Sequence, residues 1–572
     1  MDRHLAAAGA RIRALLAGCR AARAERPAEF WHACLFGAFW FSLASFPIGY
    51  GMREVMPVIC LVFLALYYRH AWRGSVLARL RVKWLFGCAG LMVAIGILCS
   101  SSPLDSLLHA GTGINKGFIL PFIGMECVRD GRDLRRLVWA CVTACFWEGL
   151  DGIWQAATGA DFIMGYAPNA GRLTGSLGDY TVGNYIALAL IPSFGVWFIL
   201  RRKLRAMEAL PVFCLLLGPA FFLFQGASSR SGALAIAGGL GLWILLRCRR
   251  WQWRALIWPA LVLGLFSLFQ PARLAPENIA GDNRWDLWRL GWRVFLEHPW
   301  FGAGAGQYNA AFRALGLAPQ REVITISHPH NIFLDLLYAH GIVGFSLGMI
   351  FLFGFLWWGW RRIRPRLMRE YATEGAGGSI YWRLTAWFWL GYAGWLINGI
   401  FGHDFYRIWW LALAMSHLGI MIGAVVNGCA KDNGGSAPPG PGPQPFPRVP
   451  SPQDCPAAPG PSGSPASSAG SGICRALRCS RRRAMASSLV STRPRQAAFC
   501  SAFSGQYPSC TQLGPAPSKR SGAAWRHRRS IFQARSRISA WALRQQRMEN
   551  QSSRAWAFMP MMALKVVAWG LR

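Results

Sequence analysis

The sequence predicts an all-α, polytopic membrane protein with about twelve transmembrane helices and one large polar loop between the ninth and tenth. Apolar runs of about 17 to 22 residues recur along the chain, each long enough to cross roughly 30 Å of hydrocarbon as a helix. Hydrophobic residues make up 53% of the 572 and 29 are Trp, a composition that excludes an ordinary soluble globule. The charge is distributed as membrane orientation requires. Residues 1–430 carry 40 Lys and Arg against 22 Asp and Glu, and residues 431–572 carry 21 against 3. In the body the basic residues fall in short clusters between apolar runs, whereas a nucleic-acid binder concentrates them on one face. No nucleic-acid partner is expected.

Residues 1–29 form a basic segment in which Arg3, Arg11, Arg13, Arg20, Arg23 and Arg26 precede the first long apolar run. That order predicts a cytoplasmic N-terminus and an uncleaved anchor. Residues 30–427 form the membrane domain, with spans at about 30–48, 54–69, 84–100, 109–127, 137–156, 182–200, 209–225, 231–247, 255–270, 332–356, 383–401 and 408–427. The clusters Arg69 to Lys83, Arg129 to Arg136, Arg201 to Arg205, Arg247 to Arg254 and Arg361 to Arg369 then share the cytoplasmic side. The fourth span carries Lys116, Pro121 and four Gly. It is kept because omitting it would move four later clusters to the wrong side. Lys116 must then snorkel, pair with Glu126 or Glu148, or face a water-filled cleft, and an intramembrane charge is a functional candidate by default.

The 16 Cys are scattered, eleven in or beside apolar runs and none between Pro271 and His330, so no disulfide framework is indicated. Residues 428–572, with SAPPGPGPQPFPRVPSPQ and RRRAMASS, are too poor in apolar periodicity to repay ordering and predict a disordered, basic, Pro/Ser/Arg-rich cytoplasmic tail.

The polar loop, residues 271–331, concentrates the chemistry. From Asp282 to Glu297 the helical period sets Trp285, Trp288, Trp292, Phe295 and Leu296 on one face and Asp286, Arg289, Arg293 and Glu297 on the other, predicting a helix lying on the membrane surface. Arg284 opens that helix and can face a lipid phosphate. In HPWFGAGAGQY, Gly302, Gly304 and Gly306 read as a tight turn without a ligand, since no strand precedes them. In SHPHN, His328 and His330 flank a Pro and Asn331 starts the tenth span. Two His without a third local ligand make a poor metal site, whereas a neutral imidazole can take a proton from a hydroxyl near pH 7. Arg172, in GRLTGSLGDY, and Arg230, in GASSRSGALA, lie on the same side as Arg284. Three arginines at span mouths point to an anionic ligand, because guanidinium grips phosphate through two parallel hydrogen bonds.

The ordered set RLTGSLGDYTVGNYIALALIP, SSRSGALA, NRWDLWRLGWRVFLEHPWFGAGAGQY and HPHNIFLDLLYAHGIVG resembles the O-antigen ligase and polymerase family of bacterial inner membranes. The motifs cover about residues 150–360, and the span pattern extends the likeness to about 30–427. The resemblance implies a metal-independent glycosyltransferase, with no cofactor, that moves a glycan from undecaprenyl diphosphate to an acceptor such as the lipid A core. The large loop would then be periplasmic. Arg230 and Arg284 would hold the donor diphosphate, His330 would act as catalytic residue on the acceptor hydroxyl, and Arg172, His328, Asn331 and Lys116 would complete the substrate site. Membrane lipids are the other expected partners. His340 stands where similar sequences usually carry Glu before the Gly-Ile/Leu-x-Gly turn. A polymerase of the same architecture is the alternative, and a membrane transporter, which would place its ionisable groups near the midplane, is the second alternative.

Overall fold

In the computed structural model the protein is described at residue 18 and over residues 21–113, 117–179, 181–248, 254–269, 282–319, 328–373, 379–402, 405–406 and 408–432. Lys116, the loop stretches 271–281 and 320–327, most of the basic N-terminal segment and the tail from 433 lie outside them.

Among the described residues the chain is helical, with no strand. In chain order the principal helices are α1 Pro27–Ser45, α2 Gly49–Ala71, α3 Trp84–Leu98, α4 Pro103–Gly113, α5 Leu120–Glu126, α6 Gly131–Thr158, α7 Val182–Ser193 and α8 Val196–Arg201. There follow α9 Ala206–Ala227, α10 Arg230–Arg247, α11 Arg254–Phe269, α12 Arg284–Glu297, α13 Tyr308–Ala314, α14 Ile332–Ala372, α15 Tyr381–Gly399 and α16 Ile408–Asp432. The caps follow from local chemistry. Asp130 accepts the Arg132 and Asp133 amides at the start of α6, and Gly159, at φ 86°, closes its end. Of the expected fourth span, α4 is described to Gly113 and α5 from Leu120, and residues 114–116 lie outside the described residues. The last helix runs on to Asp432, past the expected start of the tail.

Five described helices are long and apolar enough to cross a membrane: Met52–Gly74, Val182–Arg201, Ala206–Ala227, Ile332–Ala372 and Trp409–Ala430. The chain is a multi-pass membrane protein. Its centre is α15, which contacts α7, α10, α14 and α16 and buries every residue except Tyr381 and Ile397. Trp389, Trp395 and Tyr392 fill the middle of the bundle. Within it, Arg383 stands 3.3 Å from Glu370 of α14, both almost fully buried, with its guanidinium over the Tyr371 ring. A buried charge of this kind persists only when paired and stacked.

One feature of α14 sets up the site. At Gly341 the backbone takes φ 62° and ψ −172°, which breaks the helix after its first nine residues. Two amides that the break deprives of helical partners, Ile342 and Val343, donate to the Pro299 and Trp300 carbonyls at 2.8 and 3.2 Å. In return Ala303, Gly304 and Ala305 donate to Tyr338, Ala339 and Gly96 at 2.8, 3.0 and 3.1 Å. Backbone at membrane depth must be satisfied in this way. A Cβ at Gly341 would meet the Trp300 carbonyl at 2.3 Å and one at Gly302 the Ala339 carbonyl carbon at 2.4 Å, so side chains are excluded from both faces of the clasp.

Candidate active site at the junction of α10, α12 and α14

The sequence places an arginine at the first residue of two helices, and the fold brings those starts together. Ser229 caps α10 by accepting the Gly232 amide at 3.1 Å, leaving Arg230 at the helix mouth. Asp282 accepts the Arg284 amide at 3.1 Å as α12 begins, and the same oxygen stands 3.8 Å from Arg284 Nε. Its other oxygen receives Arg230 Nη2. One carboxylate thus joins two guanidiniums supplied 54 residues apart in the chain (284 less 230). The three side chains are 23%, 30% and 19% exposed, so they are held at the rim of the protein with access from outside.

They line a cavity of about 290 Å³ whose remaining wall includes Leu263, Phe266, Trp285, Trp288 and Phe401. Trp288 stacks on Phe401 at 5.5 Å and meets Trp285 edge-on at 5.0 Å. The Trp288 indole N–H has no acceptor among the described residues. Two helix N-termini, two guanidiniums and an indole N–H around one aromatic-walled hollow have the chemistry that suits a multiply charged anion with an apolar attachment. A larger cavity of about 950 Å³ lies at the opposite end of α14, remote from this chemistry.

Behind the arginines, Asn184 of α7 accepts from Ser231 at 2.9 Å, from Ser229, and from Asn398 of α15 at 3.3 Å. This polar knot fixes the mouth of α10 to the central helix. The site also draws on residues that the sequence reading had not given roles: Asp282, Asn184, Asn398 and Phe401. The acid two places before Arg284 was the one local signal, and its two partners become visible only in space.

The histidines occupy the start of α14. His328 Nε2 and His330 Nδ1 stand 3.2 Å apart, with ring centroids at 4.1 Å. His330 sits in the left-handed region, φ 53°, a conformation uncommon for a non-glycine residue. Asn331 then caps α14, its side-chain oxygen accepting the Phe333 and Leu334 amides at 2.9 and 3.1 Å. Its side-chain oxygen is thus committed to the helix. Ile332 packs where a Cβ on Gly399 would fall, and Phe401, two residues beyond Gly399, lines the arginine cavity. The imidazole pair and the guanidinium pair therefore share one end of the α14–α15 packing. The structure groups no third His, Cys, Asp or Glu with the two histidines among the described residues.

Arg172 lies on the connection after α6. Its backbone bridges to Asn169, and Leu173 donates to the Gly226 carbonyl at 3.2 Å, which seats the loop on the last turn of α9, four residues before Arg230. Gln155 and Glu148 of α6 hold the following residues through the Thr174, Gly175 and Ser176 amides at 2.9, 3.1 and 3.1 Å. Arg172 is nevertheless not among the cavity-lining residues. Lys116 falls outside the described residues.

Two expectations change in detail. In the GAGAG turn the Ala303 and Gly304 amides donate to α14 at its break, the Gly302 amide to His298 and the Ala305 amide to Gly96 of α3, so these four are spent on protein carbonyls. The α12 helix does not simply lie on lipid: Leu287, Leu290, Gly291 and Val294 form a buried face against α13 and α14, while Trp285 and Trp292 are half exposed. The second face arises because α13 folds back beneath it and Tyr308 donates to the Leu287 carbonyl at 2.6 Å. Burial, with help from Asp286 and Asp335, holds that phenol above its usual range, so it remains a donor. His340 is fully buried, with Nδ1 donating to the Leu336 carbonyl at 3.2 Å and Nε2 accepting from Tyr406 at 2.9 Å. A carbonyl can only accept, which fixes this tautomer.

The fold and the charged hollow describe a multi-pass membrane protein with two clustered guanidiniums beside an aromatic wall. Residues 212–349 match the family model described as O-antigen ligase. Ligase- or polymerase-type glycan transfer is the activity of that family. The matched segment contains Arg230, Asp282, Arg284, His328, His330 and Asn331 and excludes Arg172 and Lys116. No curated protein and no solved structure matches the chain.

Proposed function

We propose that the protein transfers a glycan from an undecaprenyl diphosphate carrier to an acceptor such as the lipid A core, on the periplasmic face of the bacterial inner membrane. The observation that carries this reading is the pair Arg230 and Arg284, joined through Asp282 at two helix mouths beside an aromatic wall. A diphosphate can displace the carboxylate from both guanidiniums, and the apolar wall suits the first isoprenyl units of the carrier. His330, with Nδ1 beside His328, takes the proton of an acceptor hydroxyl through Nε2. That oxygen forms a bond to the anomeric carbon as the bond from this carbon to the diphosphate oxygen breaks. The released lipid diphosphate leaves with its charge on Arg230 and Arg284. Residues 30–427 form the membrane domain with about twelve spans, and the segment 271–331 faces the periplasm.

Two measurements test the proposal. Purified protein supplied with carrier-linked glycan and lipid A core should form the joined product with a chelator present, and loss of transfer on chelation would overturn the metal-independent step. In a Cys-free background, a Cys in place of the exposed Glu297 should react with an impermeant thiol reagent in intact spheroplasts. Labelling only after lysis would overturn the topology.

A further inference from the structure

The far end of α14 carries a second site. The sequence there reads WWGWRRIRPRLMR, apolar aromatic residues turning abruptly into arginines. From the break at Gly341 to Arg361 the helix rises about 30 Å, which matches the hydrocarbon thickness of a bilayer. Arg361 and Arg362 thus close an apolar helical stretch of spanning length.

Beside them a groove of about 950 Å³ opens between the first turn of α3 and α14. The helices touch at Gly354, where a Cβ would meet the Leu85 side chain at 2.7 Å, and the groove extends along Phe353, Trp357 and Trp358 to Arg361, Arg362 and Arg366. Its walls are open to the surroundings: Trp84 is 58%, Phe353 45% and Trp357 62% exposed. Arg361 lies over the Trp357 ring at 5.9 Å. A smaller cavity of about 260 Å³ shares Trp358 and Arg362 with the groove and adds Arg79 and Arg81 to the same mouth. Five guanidiniums converge there, and the nearby carboxylate, Asp432, is held by Arg366 at 2.7 Å and Arg369 at 3.9 Å.

We propose that this groove binds an anionic phospholipid, one with a phosphate and no cationic headgroup, its acyl chains along Leu85, Phe353 and Trp357 and its phosphate on Arg361 and Arg362. Scattered basic residues would attract such lipids diffusely. Here the cations stand at the end of an apolar groove of acyl-chain dimensions, the arrangement by which basic pockets between membrane helices select anionic headgroups. The site is independent of the glycan-transfer reading.

Native mass spectrometry of the full chain in mild detergent tests it, with phosphatidylglycerol and phosphatidylethanolamine of identical chains as probes. The wild type should retain phosphatidylglycerol preferentially. The double variant Arg361→Gln, Arg362→Gln should lose roughly thirtyfold in phosphatidylglycerol affinity, and Arg362→Gln alone about fivefold, with phosphatidylethanolamine little changed. A control double variant, Arg201→Gln, Arg202→Gln, removes the same charge elsewhere and should bind as the wild type does. Equal retention of the two lipids by the wild type, or equal losses in the two double variants, would overturn the proposal. If the double variant does not fold, unchanged binding by Arg362→Gln would do so.

Discussion

At one end of the α14–α15 packing two arginines share one carboxylate, whereas at the far end of α14 Arg361 and Arg362 border an apolar groove near which Asp432 is already held by Arg366 and Arg369. The same residue type is thereby set to different tasks. Around Asp282 the net charge is a single positive unit, and the guanidiniums are oriented before any ligand arrives. An incoming anion must outcompete a carboxylate, which favours a diphosphate over a singly charged headgroup. At the other end the cations are in excess and stacked on Trp, so one phosphate suffices. On the two proposals, preorganisation serves chemistry at the first end and surplus charge serves attachment at the second.

The comparison can be broken most sharply at His330. His330→Ala should lower the turnover of purified protein by about 10² to 10⁴ if the imbalance between the ends reflects catalysis. Phosphatidylglycerol retention should be untouched. Equal activity in the variant would reduce the first end to a binding site.

Arg284→Lys comes next. A lysine keeps the charge but not the planar fork, and a loss of about 10² to 10³ in transfer rate is expected by analogy with removal of a preorganised donor. Asp282→Asn sharpens the same point in the opposite direction. Removing the competing charge at a partly exposed position should lower the KM for the donor by about two- to fivefold while kcat changes little. A collapse of kcat to the Arg284→Lys level would mean that Asp282 orients the arginines more than it competes with the donor.

Gly341→Ala tests the clasp that keeps the first end of α14 separate from the rest of the helix. Left-handed strain of about 1–3 kcal/mol, compounded by collision with the Trp300 carbonyl, should lower the melting midpoint in detergent. An unchanged midpoint would show that the break is not enforced by the glycine. The smallest effect is expected from deleting residues 436–572, whose composition supports no packed core; transfer should stay within about twofold of the full chain. A large loss at normal membrane levels would assign the tail a partner.

Much of this was legible in the sequence because periodicity and caps are local. Trp285 to Glu297 read as a helix from spacing alone, Asn331 stands where a cap is needed, and the switch from WWGW to RRIR marks the end of a span. Arg230, Arg284 and His330 were legible as residue types suited to a diphosphate and a proton. Tertiary structure decided how they meet. Asp282 couples Arg230 to Arg284 only because the starts of α10 and α12 converge, and no sequence spacing encodes a distance across 52 residues. The glycines of GAGAG were legible as a turn, but their purpose depends on a break in α14 that leaves amides needing carbonyls. His340 was legible as a residue standing where similar sequences usually carry Glu; its burial against Tyr406 follows from packing. The sequence thus determined the membrane class, the helices and the reactive groups, since these depend on contacts within a few turns. The pairing of charges and the break that divides α14 at Gly341 were left to long-range packing, which alone sets distances between segments remote in the chain.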